Sequence, residues 1–183
     1  MQINFSNFSV AARNVISIAH SIKILRGRRD IDDIDLTIAA STVKSPASDS
    51  LKELGIGFSE LASALNIKHI TQRIPTPINK ELQVPELDDY KDFTPCGRFV
   101  VHWAPNLALN TACRNIRKPD GFPLGDPTDL IVGPQHILFV ALSNRTAPPS
   151  KLIENAYQGV DLDPARTLRE NLGFKSCDVT NSK

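Results

Sequence analysis

The chain states one helical pattern twice. Phe8-Ser9-Val10-Ala11-Ala12-Arg13 is echoed 85 residues later by Phe93-Thr94-Pro95-Cys96-Gly97-Arg98. Each leads into an apolar run, Val15-Ile16-x-Ile18-Ala19 in the first and Val100-Val101-x-Trp103-Ala104 in the second. Further on, Leu54-Gly55-Ile56-Gly57-Phe58-Ser59 has a counterpart in Gln158-Gly159-Val160-Asp161-Leu162-Asp163. A chain that duplicates one helical unit suits a binding platform better than an enzyme with a single asymmetric active site.

At 183 residues the chain is long enough for one domain, or for two small halves sharing a core. With 41% hydrophobic residues it can bury that core. The net charge is +1, which argues against a broad electrostatic footprint for nucleic acid. Lys23, Arg26, Arg28 and Arg29 form a local basic patch, read as a solvated helix end whose last turn favours cations. Cys96, Cys113 and Cys177 make neither a Cys-x-x-Cys pair nor a metal-ligand spacing, and an odd count fits unpaired thiols in a reducing compartment. Apolar stretches fall short of the roughly 20 residues a membrane span needs. The start, Met1-Gln2-Ile3-Asn4-Phe5, lacks the basic and apolar regions of a signal peptide. A cytoplasmic protein without membrane or nucleic-acid partners and without a cofactor is expected.

The helical pattern reads as follows. Ser9 caps a helix over about 9–26, with Val15, Ile18, Ile22 and Leu25 on one face and Gly27 as its stop. Asp32 or Asp33 caps a second helix through Leu36, Ile38 and Ala40. Pro46 opens a third at about 47–54, with Gly55 as its C′ residue. Ser59 caps a fourth, with Leu61 and Leu65 inward. Residues 67–92, with Pro75, Pro77 and Pro85, form a connector along the surface. The second unit begins at Phe93, with Thr94 as N-cap and Pro95 at N1. Pro105 either kinks its first helix or breaks it, with a fresh start at Asn106. A loop over 117–131 follows. Further helices are expected at about 134–143, after Pro148-Pro149, and from Asp163-Pro164 to Leu172, with Gly173 as a stop and a polar tail over 174–183.

Two four-helix repeats, about 8–66 and 93–173, each opened by Phe-Ser/Thr-x-x-Ala/Gly-Arg, resemble the N-terminal domain of Clp/Hsp100 unfoldases, closest to the ClpC type. The second repeat keeps Val132-Gly133-Pro134-Gln135-His136-Ile137-Leu138, where the family has Ile-Gly-Thr-Glu-His-Ile/Leu-Leu; the first has Ile31-Asp32-Asp33-Ile34-Asp35-Leu36. The resemblance implies an all-α fold, two pseudo-symmetric four-helix repeats forming one compact bundle over 1–183. The sequence contains no Gly-x-x-x-x-Gly-Lys-Ser/Thr phosphate loop, so a stand-alone module without the ATPase motor is expected. The resemblance also implies a hydrophobic ligand site between the two first helices, where cyclic peptide antibiotics settle in actinobacterial ClpC domains. The matching positions are Phe5, Phe8, Arg13, Phe93 and Arg98. Phe8 and Phe93 have an alternative reading as hydrophobic staples on their own helices. In the family, phosphoarginine is read by a Glu that pairs with the guanidinium and by the helix starts near the phosphate. Ser9 and Thr94 keep the anion half. Ile34 and Gln135 stand at the Glu positions; Ile34 cannot pair with a cation, and Gln135 loses the charge-assisted bond.

Conventional catalytic chemistry is sparse. His20, His69, His102 and His136 are scattered. His102 reads as a partly buried structural residue, and His136 as a packing or capping residue. Cys96 and His102 lie at i and i+6, on different faces of one helix. Asp30, Asp32, Asp33 and Asp35 lack the central Gly and terminal Glu of a calcium loop and read as a capping cluster. The sequence reading is therefore a non-catalytic peptide- or protein-binding module of the Clp protease system, acting as adaptor, regulator or ligand-sequestering decoy. Its partners would be a Clp unfoldase or protease, or its substrates. The alternatives are a structural docking protein using the 117–131 loop and, remotely, a small hydrolase using His136 or Cys113.

Overall fold

The computed structural model describes residues 5–67, 74, 81–88, 91–116, 131–143, 147–160 and 163–172, and within 110–116 the backbone alone. Among these residues the secondary structure is helical: α1 (Val10–Leu25), α2 (Asp33–Thr42), α3 (Pro46–Glu53), α4 (Phe58–Ala64), α5 (Pro95–Ile116), α6 (Pro134–Ala141), α7 (Pro148–Ala156) and α8 (Pro164–Asn171). None of these helices is long and apolar enough to cross a membrane. The 117–130 loop, Gly173 and the tail lie outside the described residues, as does much of the connector.

Local chemistry sets the helix ends. Ser9 accepts the Ala12 N–H at 3.1 Å, Thr94 the Gly97 N–H at 3.1 Å, and Asp163 the Arg166 N–H at 2.8 Å. Gly27 and Gly55 sit at φ +66° and +70°. Each closes a Schellman motif: Arg28 N–H donates to Lys23 O and Gly27 N–H to Ile24 O after α1, Ile56 N–H to Leu51 O and Gly55 N–H to Lys52 O after α3. Asn66, at φ 57°, does the same after α4.

Several sequence expectations are corrected. Gly57, not Ser59, is the N-cap of α4; Glu60 reaches back to accept the Gly57 N–H at 2.7 Å, and Ser59 donates to Glu60 instead. A residue at N3 can satisfy the cap amide whatever stands at the cap. α5 runs unbroken through Pro105, without a fresh start at Asn106. Its buried residues Val100, Val101, Ala104 and Ala108 bind it to the core on both sides of the proline. Pro148 and Pro149 lie inside α7's first turn rather than before it, where missing N–H groups cost nothing. The Gly55 and Gly159 counterparts diverge: Ile56 is fully buried, whereas Val160 is exposed and Gly159 has no left-handed φ.

α2 is the central helix, packed against α1, α3, α4, α5, α6 and α7. Nine of its ten residues are buried, all but Ile34. Leu36, Ile38, Ala39 and Ala40 supply apolar contact. The hydroxyls of Thr37, Ser41 and Thr42 donate to the carbonyls of Asp33, Ile38 and Ala39 at 2.7–2.8 Å, so no buried donor is stranded. α6 packs on α5, α2, α1 and α3.

The halves are joined by two reciprocal parallel bridges. Phe8 pairs with Val132, and Phe93 pairs with Ile31. The bonds match one for one. Ser9 N–H donates to Val132 O and Val132 N–H to Asn7 O; Thr94 N–H donates to Ile31 O and Ile31 N–H to Asp92 O, all at 2.7–2.9 Å. Thus the residue before the cap of α1 meets the residue before the cap of α6, and the residue before the cap of α5 meets the residue before the cap of α2.

Candidate functional site

The bridges sort the residues singled out in the sequence into two junctions. At the first, α1 begins beside α6, with Phe5, Phe8, Ser9, Arg13 and Gln135. At the second, α5 begins beside α2, with Phe93, Thr94, Arg98 and Ile34. Phe8 and Phe93 lie in the hydrophobic core, 3% and 2% exposed. Phe5 is half-buried and meets Phe8 edge to face, ring centres 5.2 Å apart. Arg13 donates to the Phe8 carbonyl at 2.7 Å and to Glu81 of the connector at 2.6 Å. Arg98 and Gln135 are half-buried, and the Gln135 amide folds over Gly133, where a Cβ would have to displace it. Pro95 has no N–H, so α5 has one donor fewer than α1 for an anion at its start.

The starts of α2 and α6 share one device. Asp35, at N3 of α2, accepts the Asp32 N–H at 3.0 Å; His136, at N3 of α6, accepts the Gly133 N–H through Nδ1 at 2.8 Å. Asp32 in turn accepts from the Asp35 N–H, so Asp32 rather than Asp33 is the N-cap. Burial, with the Asp32 charge beside it, pushes the Asp35 carboxyl up to about 7 against the pull of Arg26. Burial pushes the His136 imidazole down.

The basic patch differs from the expected solvated end. The Arg26 side chain is 8% exposed and pairs with Asp32 and Asp35, and Lys23 is buried and pairs with Asp92 at 3.3 Å. Arg28 and Arg29 are exposed, each 3.9 Å from an aspartate. His102, expected partly buried, is exposed. The Cys96 thiol is also exposed; partial burial and then the Asp33 and Asp32 charges push its pKa up, away from nucleophilic reactivity. Among the described residues no group of His, Cys, Asp and Glu is arranged to hold a metal ion.

Two features escape the sequence reading. The connector does not merely skirt the surface: it runs along α1. Asn14 Oδ1 accepts the Leu82 N–H at 2.8 Å and the Ser17 hydroxyl donates to the Gln83 carbonyl at 3.0 Å. Leu87 and Ile74 are buried in the core, and Leu82 and Val84 pack against it. The apolar alternation Leu82-x-Val84 and the polar Asn14 inside an apolar helix are the signals that mark this contact. The second feature is an exposed aromatic pair on α5, Phe99 and Trp103, with ring centres 5.7 Å apart.

No family model matches the chain, and no curated protein matches it in sequence.

Proposed function

We propose that the chain is a non-catalytic peptide- or protein-binding module built as two pseudo-symmetric four-helix repeats of the Clp N-domain kind. The observation that carries this reading is the reciprocity of the two junctions. Phe8 and Phe93, Ser9 and Thr94, Ile31 and Val132 make the same bonds in exchanged halves. Reciprocal seams of this kind arise when one unit is duplicated and the copies share a core. In this reading the module serves the Clp protease system as an adaptor, a regulator or a decoy, taking a peptide, a protein or a ClpC-directed cyclic peptide. His136 is a cap in this reading, because its Nδ1 is committed to the Gly133 amide. Phosphoarginine recognition is weak at best, since Ile34 and Gln135 replace the charged partner. A docking role through residues 117–131 is a second reading, favoured by the exposed Ile131 at the end of that loop.

Calorimetric titration with phosphoarginine and, separately, with a ClpC-directed cyclic peptide tests the proposal. Cyclic-peptide binding lost on Phe5→Ala is the expected result. Binding of neither ligand contradicts the Clp assignment and turns the reading toward a docking protein.

A further inference from the structure

Positions 85 apart on α1 and α5 agree closely in burial. Ala12 and Gly97, Val15 and Val100, Ile16 and Val101, Ala19 and Ala104, and Lys23 and Ala108 are buried in both helices. Ser21 and Asn106, and Ile24 and Leu109, are exposed in both. Three positions differ outright. Asn14, Ser17 and Ile18 are 3%, 7% and 3% exposed on α1; their counterparts Phe99 and Trp103 are 48% and 52% exposed, and His102 is also open.

The cover on α1 is chemically explicit. Residues 81–88, Glu-Leu-Gln-Val-Pro-Glu-Leu-Asp, lie along it without helix or strand structure of their own. Glu81 takes Arg13, Leu82 and Gln83 bond Asn14 and Ser17, and the run ends where Asp92 meets Lys23. This segment carries three carboxylates and no cation. The matching stretch of α5, residues 98–109, carries Arg98 and His102 and no acid. Arg98 stands where Arg13 stands, and His102 where Ser17 donates to a backbone carbonyl. Phe99 and Trp103 add a broad apolar platform, the residue types that anchor interfaces.

We propose that the Phe99–Trp103 face of α5 is a docking site for an extended peptide of the same chemistry as residues 81–88, with leucine or valine at spaced positions between carboxylates. The proposal deepens the peptide-binding reading and rests on it. It also makes the module one-sided: the chain's own connector holds the α1 face, and a partner holds the α5 face.

The test uses a fluorescein-labelled peptide with the sequence of residues 79–90, titrated into the full chain. Anisotropy reports binding, and Trp103, the single tryptophan, gives a second signal. Saturable binding with a change in Trp103 emission is expected, weakened about tenfold or more in Phe99→Ala, as for an aromatic anchor. Trp103→Phe keeps a ring and should bind several-fold more tightly than Trp103→Ala. Both sites are about half exposed, so the variants should retain the parent melting temperature, which is measured alongside. Binding unchanged in both Phe99→Ala and Trp103→Ala overturns the proposal. So does absence of peptide binding; if a ClpC-directed cyclic peptide still binds, the module reading survives and only the α5 assignment falls. A concentration-dependent dimer that Phe99→Ala abolishes would give the face to a second copy of the chain and also overturn the proposal.

Discussion

α1 and α5 begin alike and are finished differently. Each has a hydroxyl cap, an arginine four residues on, and a buried phenylalanine before the cap that bridges to the other half. Ala12, Val15, Ile16, Ala19 and Lys23 of α1 all have buried counterparts on α5. They part on the flank: α1 presents Asn14 and Ser17 to a segment of its own chain, and α5 presents Phe99 and Trp103 outward. The inward face of a helix is constrained by the core it packs on, whereas the flank answers only to what lies against it. A buried asparagine is tolerable on α1 because the Leu82 amide satisfies it, and a half-exposed tryptophan gains most where a partner can cover it.

The comparison can be broken first at the seams. Phe8→Ala and Phe93→Ala should each destabilise the fold by about 3–5 kcal/mol in denaturant titrations, because both leave a core cavity. If one substitution were nearly silent, the two junctions would not be equivalent. Next comes the tightest difference between the helix starts. A Cβ on Gly97 would strike the Ile31 carbonyl and lie 3.3 Å from Asp32 Cα, whereas the matching Ala12 already carries one. Gly97→Ala should cost about 1–3 kcal/mol, since backbone cannot rotate away. Thermal melting that leaves Gly97→Ala at the parent value would show that the second junction yields more easily than described.

The flank itself gives a smaller effect. Asn14→Ala leaves the Leu82 amide without its acceptor and should cost about 1 kcal/mol and speed proteolysis within 81–88. Phe99→Ala, at a half-exposed site, should cost less than about 0.5 kcal/mol. Equal costs would mean that the two flanks are covered alike.

The smallest net effect is expected from pH. Asp35 is raised from 3.8 to about 7, so its contribution is complete below pH 3.8 and is lost as pH rises through about 7. His136 is lowered from 6.5, so its contribution is present above 6.5 and is lost as pH falls through its native value. The two oppose each other from pH 6.5 downward, as far as the native value of His136. Asp35→Asn, which keeps an acceptor for the Asp32 amide, should expose a loss of stability on acidification. His136→Asn should expose a gain. Denaturant midpoints across this pH range check both signs.

Much of the helical layout is legible in the residues. Ser9, Thr94 and Asp163 act as caps because a short side-chain oxygen before an apolar run leaves a first-turn amide little choice, and Gly27 and Gly55 end helices because they accept a left-handed φ. Ser59 misleads because Glu60 caps from inside the helix. Of the two readings of Pro105, the fresh start at Asn106 fails because packing on both sides outweighs one missing hydrogen bond. Of the candidate site, the two junctions are legible as repeated motifs, but the burial of Phe8 and Phe93 is not, since a phenylalanine before a cap serves a core or a ligand equally well. The connector's docking is hidden for a different reason. Its prolines and acids read as surface, and only contact with Asn14 and Ser17, more than 60 residues away in sequence, gives Leu82 and Gln83 their role.

The most direct test of the unequal flanks is acrylamide quenching of Trp103 in the unliganded protein, repeated with saturating 79–90 peptide. Ready quenching of a solvent-like emission, suppressed and blue-shifted by the peptide, is the expected result. A blue, poorly quenched emission before any peptide is added would mean that the α5 face is already covered, and would contradict the account.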